Sequence, residues 1–167
     1  MKHRNKHLAI LLSVLLITAM MLSTVWAAGP SFTLPKDFTK PNSLYEKAIK
    51  AKNNADIVLY GQMAIALLDK LPDTKQKLDI IVPRLLNVAK AAEALGKTNK
   101  QNYYLSAETY IKYTVNLEKQ RLLDPKCNKA KLNSDVRYML FSNAGRIYFD
   151  ILKDYDKALK VYDLIAK

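Results

Sequence analysis

The chain has 167 residues, 27 Lys plus Arg against 15 Asp plus Glu, two His, one Cys and one Trp, for a formal net charge of +12. Half of the residues are hydrophobic and only four are Gly and six Pro, which excludes a disordered, collagen-like or disulfide-dense chain. A packed core is within reach at this length, in one domain or at most two.

Residues 1–7 carry Lys2, Arg4 and Lys6 without an acid, residues 8–22 are apolar apart from Ser13 and Thr18, and Ser23-Thr24-Val25-Trp26-Ala27 follows. That order is the one of a secretory signal peptide, and small or aliphatic Val25 and Ala27 place the cut before Ala28. The alternative is an uncleaved anchor, since the stretch from Leu8 to Ala28 is as long as the roughly 20 residues a spanning helix needs. Removing residues 1–27 takes away His3, His7, Trp26 and three basic groups, leaving 24 basic and 15 acidic residues, net +9. The remainder has no histidine, so Ser-His and Cys-His nucleophilic pairs and imidazole zinc sites are excluded. A lone Cys127 makes no internal disulfide.

Residues 28–42 contain Pro30, Pro35 and Pro41 without a helical period and read as an extended linker. Residues 43–167 read as an all-α domain, with apolar positions three and four apart and no strand-like alternation. A first helix from Ser43 to about Lys52 carries Leu44, Ala48 and Ala51. A second, about Ala55 to Leu71, aligns Ile57, Tyr60, Gly61, Ala64, Leu67, Leu68 and Leu71 and stops before Pro72. Asp73 and Gln76 resemble a capping box opening a third helix, with Leu78, Ile81, Leu85, Val88, Ala89 and Ala92 inward, a kink or break expected at Pro83, and Gly96 as the stop. The fourth spans about Lys100 to Arg121. After a polar loop, Asn133 or Ser134 is the expected cap of a fifth, whose apolar face holds Val136, Met139, Leu140, Ala144, Ile147, Tyr148 and Ile151. Lys153-Asp154 turns the chain into a last helix with Tyr155, Ala158, Leu159, Tyr162 and Ile165. Such short connections imply antiparallel neighbours.

Three of these helices share an aromatic followed three residues later by alanine: Tyr45/Ala48, Tyr104/Ala107 and Tyr155/Ala158. The last thirty residues go further. Residues 143–148 (NAGRIY) followed by residues 154–162 (DYDKALKVY) resemble a tetratricopeptide repeat, in which a small residue and a tyrosine three later mark where the partner helix crosses. Gly145, Tyr148, Tyr155, Ala158 and Tyr162 match those positions. The match departs by one extra residue between Tyr148 and Tyr155, by the absence of a Leu-Gly pair on the first helix and of a closing proline. A looser copy runs through Ala89, Ala92, Gly96, Tyr104, Ala107 and Ile111. The resemblance implies a short α-solenoid of helix pairs in which these residues are packing groups, and it names no ligand. Stacked repeats bury their apolar faces only against one another, so an uncapped end leaves self-association open.

The excess positive charge points to an anionic partner such as lipid headgroups or a wall polymer, or to a solvated surface with no site. Only four of the 24 basic residues are Arg (Arg84, Arg121, Arg137 and Arg146), which argues against forked phosphate recognition. Cys127 sits among Lys119, Arg121, Lys126, Lys129 and Lys131, as a reactive thiol or a tucked-in one. Helix four has two apolar rows, Tyr104, Ala107, Ile111 and Thr114 on one side and Tyr103, Tyr110, Tyr113 and Leu117 on another. Either it is packed on two sides, or the tyrosine row lines a groove for a peptide or polymer, with Tyr103, Tyr110, Tyr113 and Lys112 as the candidate contacts. Glu93, Glu108, Glu118 and Asp150 are scattered over different helices, and no phosphate loop or metal-ligand cluster is present, so neither catalysis nor a cofactor or metal is expected. Nucleic acid is not an expected partner of an exported chain without a zinc or Gly-Phe module. The composite expectation is a non-catalytic helical module exported to the cell envelope, periplasm or exterior, or anchored there, that binds another protein or peptide; charge-driven binding to anionic lipid or wall polymer is the alternative.

Overall fold

A computed structural model of the chain describes residues 32–166, and within them the helical period is realised as six helices with no strand. The signal-peptide reading of residues 1–27 and the start of the linker lie outside the described residues. A single 3-10 turn, Lys36–Phe38, leads into α1 (Thr39–Ala51). There follow α2 (Asn54–Asp69), α3 (Lys75–Gly96), α4 (Gln101–Leu122), α5 (Lys129–Met139) and α6 (Tyr155–Ala166). Helix α5 runs on without a break through two π-helical stretches, Leu140–Gly145 and Ile147–Leu152. No helix among the described residues is long and apolar enough to cross a membrane.

Several boundaries differ from expectation, each for a local reason. The segment read as an extended linker turns helical at Lys36, because Phe38 and Pro41 are buried and Phe38 joins the core beneath α2 and α3. Arg84 of α3 holds this segment. Its guanidinium lies 5.8 Å from the centre of the Phe38 ring and 5.3 Å from that of Tyr45, and it donates to the Asn42 side chain and to Glu46. Thr74, not Asp73 with Gln76, caps α3 by accepting from the Lys77 amide; Asp73 instead receives Lys77 and Lys119. Asn128, not Asn133 or Ser134, caps α5, accepting from the Lys131 amide at 3.0 Å. Pro83 does not divide α3: it is exposed, and the helix continues through it.

Two turns share one design. Lys52 and Lys153 both adopt left-handed backbone, φ 52° and 55°, and each is followed by a residue that caps the next helix. Asn53 accepts from the Asp56 amide and Asp154 from the Lys157 amide. At the first turn the Lys52 and Asn53 amides donate back to the Ile49 and Ala48 carbonyls, the Schellman pattern that satisfies the end of α1.

Helix α3 is the centre of the core. Its Leu78, Ile81, Leu85, Val88, Ala89 and Ala92 are all at most 1 % exposed, and burying each of the larger aliphatics stabilises the fold by about 1.5–3 kcal/mol. Pairs between α3 and α4 run antiparallel: Gly96 meets the Tyr103 ring, Glu93 meets Tyr110, Ala89 meets Ser106, and Asp79 meets Gln120. Every helix packs on its neighbours in sequence, and side chains add a second order of contacts. Odd helices touch odd ones, through Arg84 with Glu46 (α3 to α1) and Arg146 with Glu93 (α5 to α3). Even helices touch even ones, through Lys112 with Asp69 (α4 to α2) and Lys157 with Glu108 (α6 to α4).

The π winding of α5 has a packing reason. Leu132, Val136, Leu140, Ala144, Tyr148 and Leu152 are all buried and recur at every fourth residue. In an α-helix of 3.6 residues per turn each such step overshoots by about 40°, so the row would drift toward solvent. The wider π turns reverse that drift and keep the row against α4 and α6.

Candidate functional site

The tyrosine row of α4 does not form an open contact face. Tyr110 is 5 % exposed, and its hydroxyl donates to Glu93 at 3.2 Å. Burial, with the Glu93 carboxylate beside it, raises its pKa to about 12. The expectation that it contacts a partner is therefore corrected: α4 is packed on two sides, and Tyr110 is core. Tyr103 is half-buried against Gly96 and the C-terminal core, and Tyr113 is half-buried between two core clusters. Lys112 pairs with Asp69 across a shallow groove of about 350 Å³ whose apolar lining includes Ile65, Leu85, Val88 and Leu105. The four residues thus serve three different environments and do not converge.

Of the packing residues, Gly145, Tyr148 and Ala158 are buried, as expected. A Cβ on Gly145 would stand 3.1 Å from the Tyr162 ring, so the missing side chain is what lets α6 cross α5 there. Tyr148 packs near Tyr104, with ring centres 6.2 Å apart, and the Lys157 ammonium sits 4.4 Å above the Tyr104 ring. Burial, with Glu108, Asp154 and Tyr104 nearby, raises the Tyr148 pKa to about 12. Tyr155 departs from the expectation. It is 57 % exposed and touches Phe149 edge-on at 5.3 Å, while Val161, two per cent exposed, takes the inward position that Leu159 was expected to hold.

The carboxylates are engaged structurally where they meet other helices: Glu93 by Arg146 at 2.5 Å and by Tyr110, Glu108 by Lys157. Among the described residues no group of three or more His, Cys, Asp or Glu is placed to hold a metal ion. Cys127 is half-buried in a polar concavity with Arg121, Asp124, Lys126, Lys131 and Asp135. Lys119, expected in the same cluster, reaches instead to Asp73.

The feature the sequence reading passed over is the outward side of the α5–α6 hairpin. Tyr138 is 71 % exposed, Phe141 56 % and Phe149 45 %; together with Tyr155 these are the large aromatics left open to solvent among the described residues. Tyr138, Phe141, Phe149, Arg146, Asp150 and Tyr162 line a cavity of about 690 Å³. Phe141 leans on Tyr162 with ring centres 5.7 Å apart. Exposed aromatics gathered round one concavity are what a protein-docking surface requires, and scattered exposed residues do not produce it. The signal was present in the sequence as further large aromatics on α5, Tyr138, Phe141 and Phe149, beyond the row of Leu140, Ala144 and Tyr148. With the fold and this surface in view, comparison with known protein families, curated proteins and solved structures finds no match.

Proposed function

We propose that the chain is a non-catalytic helical-repeat module of the cell envelope, exported or anchored through residues 1–27, that docks another protein on the outward face of the α5–α6 hairpin. The observation that carries this reading is the exposed aromatic group Tyr138, Phe141 and Phe149 around the 690 Å³ cavity. Large apolar groups held open on a well-packed scaffold favour association with a partner of complementary shape. A repeat architecture like that of tetratricopeptide repeats is supported by the odd-to-odd and even-to-even contacts and by the close crossing of Tyr162 over Gly145. The exposed Tyr155 is the point at which the likeness is weakest.

Charge-driven binding to anionic lipid or wall polymer is the second reading, favoured by Lys52, Lys97, Lys100 and Lys153, exposed on the connections that alternating helices bring to one end. Salt separates the two readings. Retention of a protein partner from envelope extract at about 0.5 M salt, where screening is strong, with release by Phe141→Asp, is the expected result. Loss of all binding at that salt, whatever residue stands at position 141, would instead favour the charge-driven reading.

A further inference from the structure

We propose that the end of the domain built from the α2–α3 and α4–α5 connections docks on an anionic lipid surface, with Leu122 and Leu123 entering the headgroup layer and the surrounding cations meeting lipid phosphates. The inference takes from the reading above only the envelope location, and it leaves the α5–α6 face free for a protein partner. The first argument is what stands together at this tip. Leu122 and Leu123 finish α4 side by side, 48 % and 50 % exposed. Residues 121–131 hold Arg121, Lys126, Lys129 and Lys131, all exposed, against the single acid Asp124. Among the described residues none of these four cations makes an ion pair. Arg121, Lys126 and Lys131 line one polar concavity of about 440 Å³, which Asp124 and Asp135 share. Lys77 and Lys119 both hold Asp73, tying the α2–α3 connection to the end of α4, and Lys70 is exposed on that connection. Apolar side chains at a tip ringed by unpaired cations suit an anionic interface: the leucines leave water while the lysine stems carry their charges to the phosphates. Lysine point charges fit a fluid array of headgroups, whereas one phosphate held in fixed geometry calls for the forked arginine.

The second argument is where the chain enters the domain. Phe38 shares a core cluster with Leu78 and Ile81 in the first turns of α3, so α1 begins near this same end. Leu34, 41 % exposed, and the exposed Lys36 and Lys40, with Asp37 between them, lie along that entry. The sequence therefore joins the apolar stretch of residues 8–28 to the domain at the end that carries the leucines. The opposite end lacks the apolar element. Its connections are Lys52-Asn53, residues 97–100 (KTNK) and Lys153-Asp154, which offer cations without an aliphatic side chain to insert.

The test uses the full chain in vesicles of phosphatidylcholine, with and without phosphatidylglycerol, each containing a nitroxide-bearing lipid that quenches fluorophores at the bilayer surface. Cys127→Ser removes the native thiol; Pro125→Cys places one on the α4–α5 connection and, in a separate variant, Thr98→Cys places one at the opposite end. Both positions are exposed. A fluorophore at position 125 is expected to be quenched about fivefold more with phosphatidylglycerol than without it, and one at position 98 equally little in both. Raising the salt to about 0.5 M, Leu122→Ser with Leu123→Ser, and Lys126→Glu with Lys129→Glu should each remove most of that difference. All four of these side chains are exposed, and circular dichroism of the purified variants checks that the fold is kept. Equal quenching at position 125 in both vesicles, or none in either, overturns the proposal. Quenching at position 98 in place of 125 overturns it as well, by assigning the lipid contact to the lysines of the other end. A photo-crosslinker on the thiol at position 125 that gives protein adducts in envelope membranes, without phosphatidylglycerol-dependent quenching, shows a protein contact there and also overturns it. Phe141→Asp is expected to leave every one of these readouts unchanged, so loss of protein docking and loss of lipid docking are read separately.

Discussion

Lys52 and Lys153 show how much a single position contributes to this fold. Both hold a backbone conformation that L-residues avoid, and both side chains are exposed, so nothing in their packing offsets the strain. Lys52→Gly and Lys153→Gly are each expected to raise stability by about 0.5–1 kcal/mol, the left-handed strain less the extra entropy of an unfolded glycine, read as a higher urea midpoint at unchanged slope. The buried phenols make a second prediction. Folding raises the pKa of Tyr110 and of Tyr148 from 10.0 to about 12. The folded chain therefore holds these protons where the unfolded chain has lost them, so their stabilisation is complete below pH 10 and is lost as pH rises through about 12. Unfolding free energies measured on either side of this window should fall with pH, and Tyr148→Phe should lessen the fall by removing one of the two groups. Neither effect was visible in the sequence, which shows where a lysine or tyrosine lies and not the backbone region or burial it acquires.

Helix periods were largely legible, and helix ends less so. Every residue assigned to the inner face of α3 is buried, because a long amphipathic helix states its own phase. Caps depend on which of several adjacent polar side chains folds back, and Thr74 and Asn128 won over neighbours equally able to accept a bond. Pro83 shows packing overriding propensity. Burial of Ile81, Val82 and Leu85 on both sides of it holds α3 together despite the absent amide and the lost bond to the Asp79 carbonyl. Since Pro83 is exposed, Pro83→Ala restores that bond without disturbing the core, and chemical denaturation should show a gain of about 1–3 kcal/mol. In α5 and α6 the apolar residues outnumber the inward positions. The periodicity alone therefore misassigned Tyr155 and Leu159, which are exposed, and passed over Val161, which is buried.

For the whole molecule, the order of contacts matters more than any one of them. Helix α3 touches α2 and α4 through its backbone neighbours and α1 and α5 through Arg84 and Glu93, whereas the contacts of α6 among the described residues are chiefly with α5 and α4. Opening one end leaves the central contacts in place. Amide exchange followed by mass spectrometry should therefore show α3 and α4 as the slowest to exchange and α6 as the fastest of the helices. Equal protection across all six would show instead that the molecule opens as one unit. Arg84→Ala should speed exchange in residues 36–46 first, since the guanidinium bridges Phe38, Asn42, Tyr45 and Glu46 to α3.

The sequence by itself determined the all-α class, five of the helix-to-helix connections and most of the buried face of each helix, because these follow from a local period and from short polar breaks. It also supplied a composition after residue 27 without histidine. Only the tertiary structure decided which aromatic residues are core and which are open. Tyr110 and Phe141 are both large aromatics on amphipathic helices; Tyr110 is enclosed in the core, whereas Phe141 leans on Tyr162 of α6 and stays 56 % exposed, and that difference lies in how the helices stack. The candidate surface moved from α4 to the outward face of α5 for that reason.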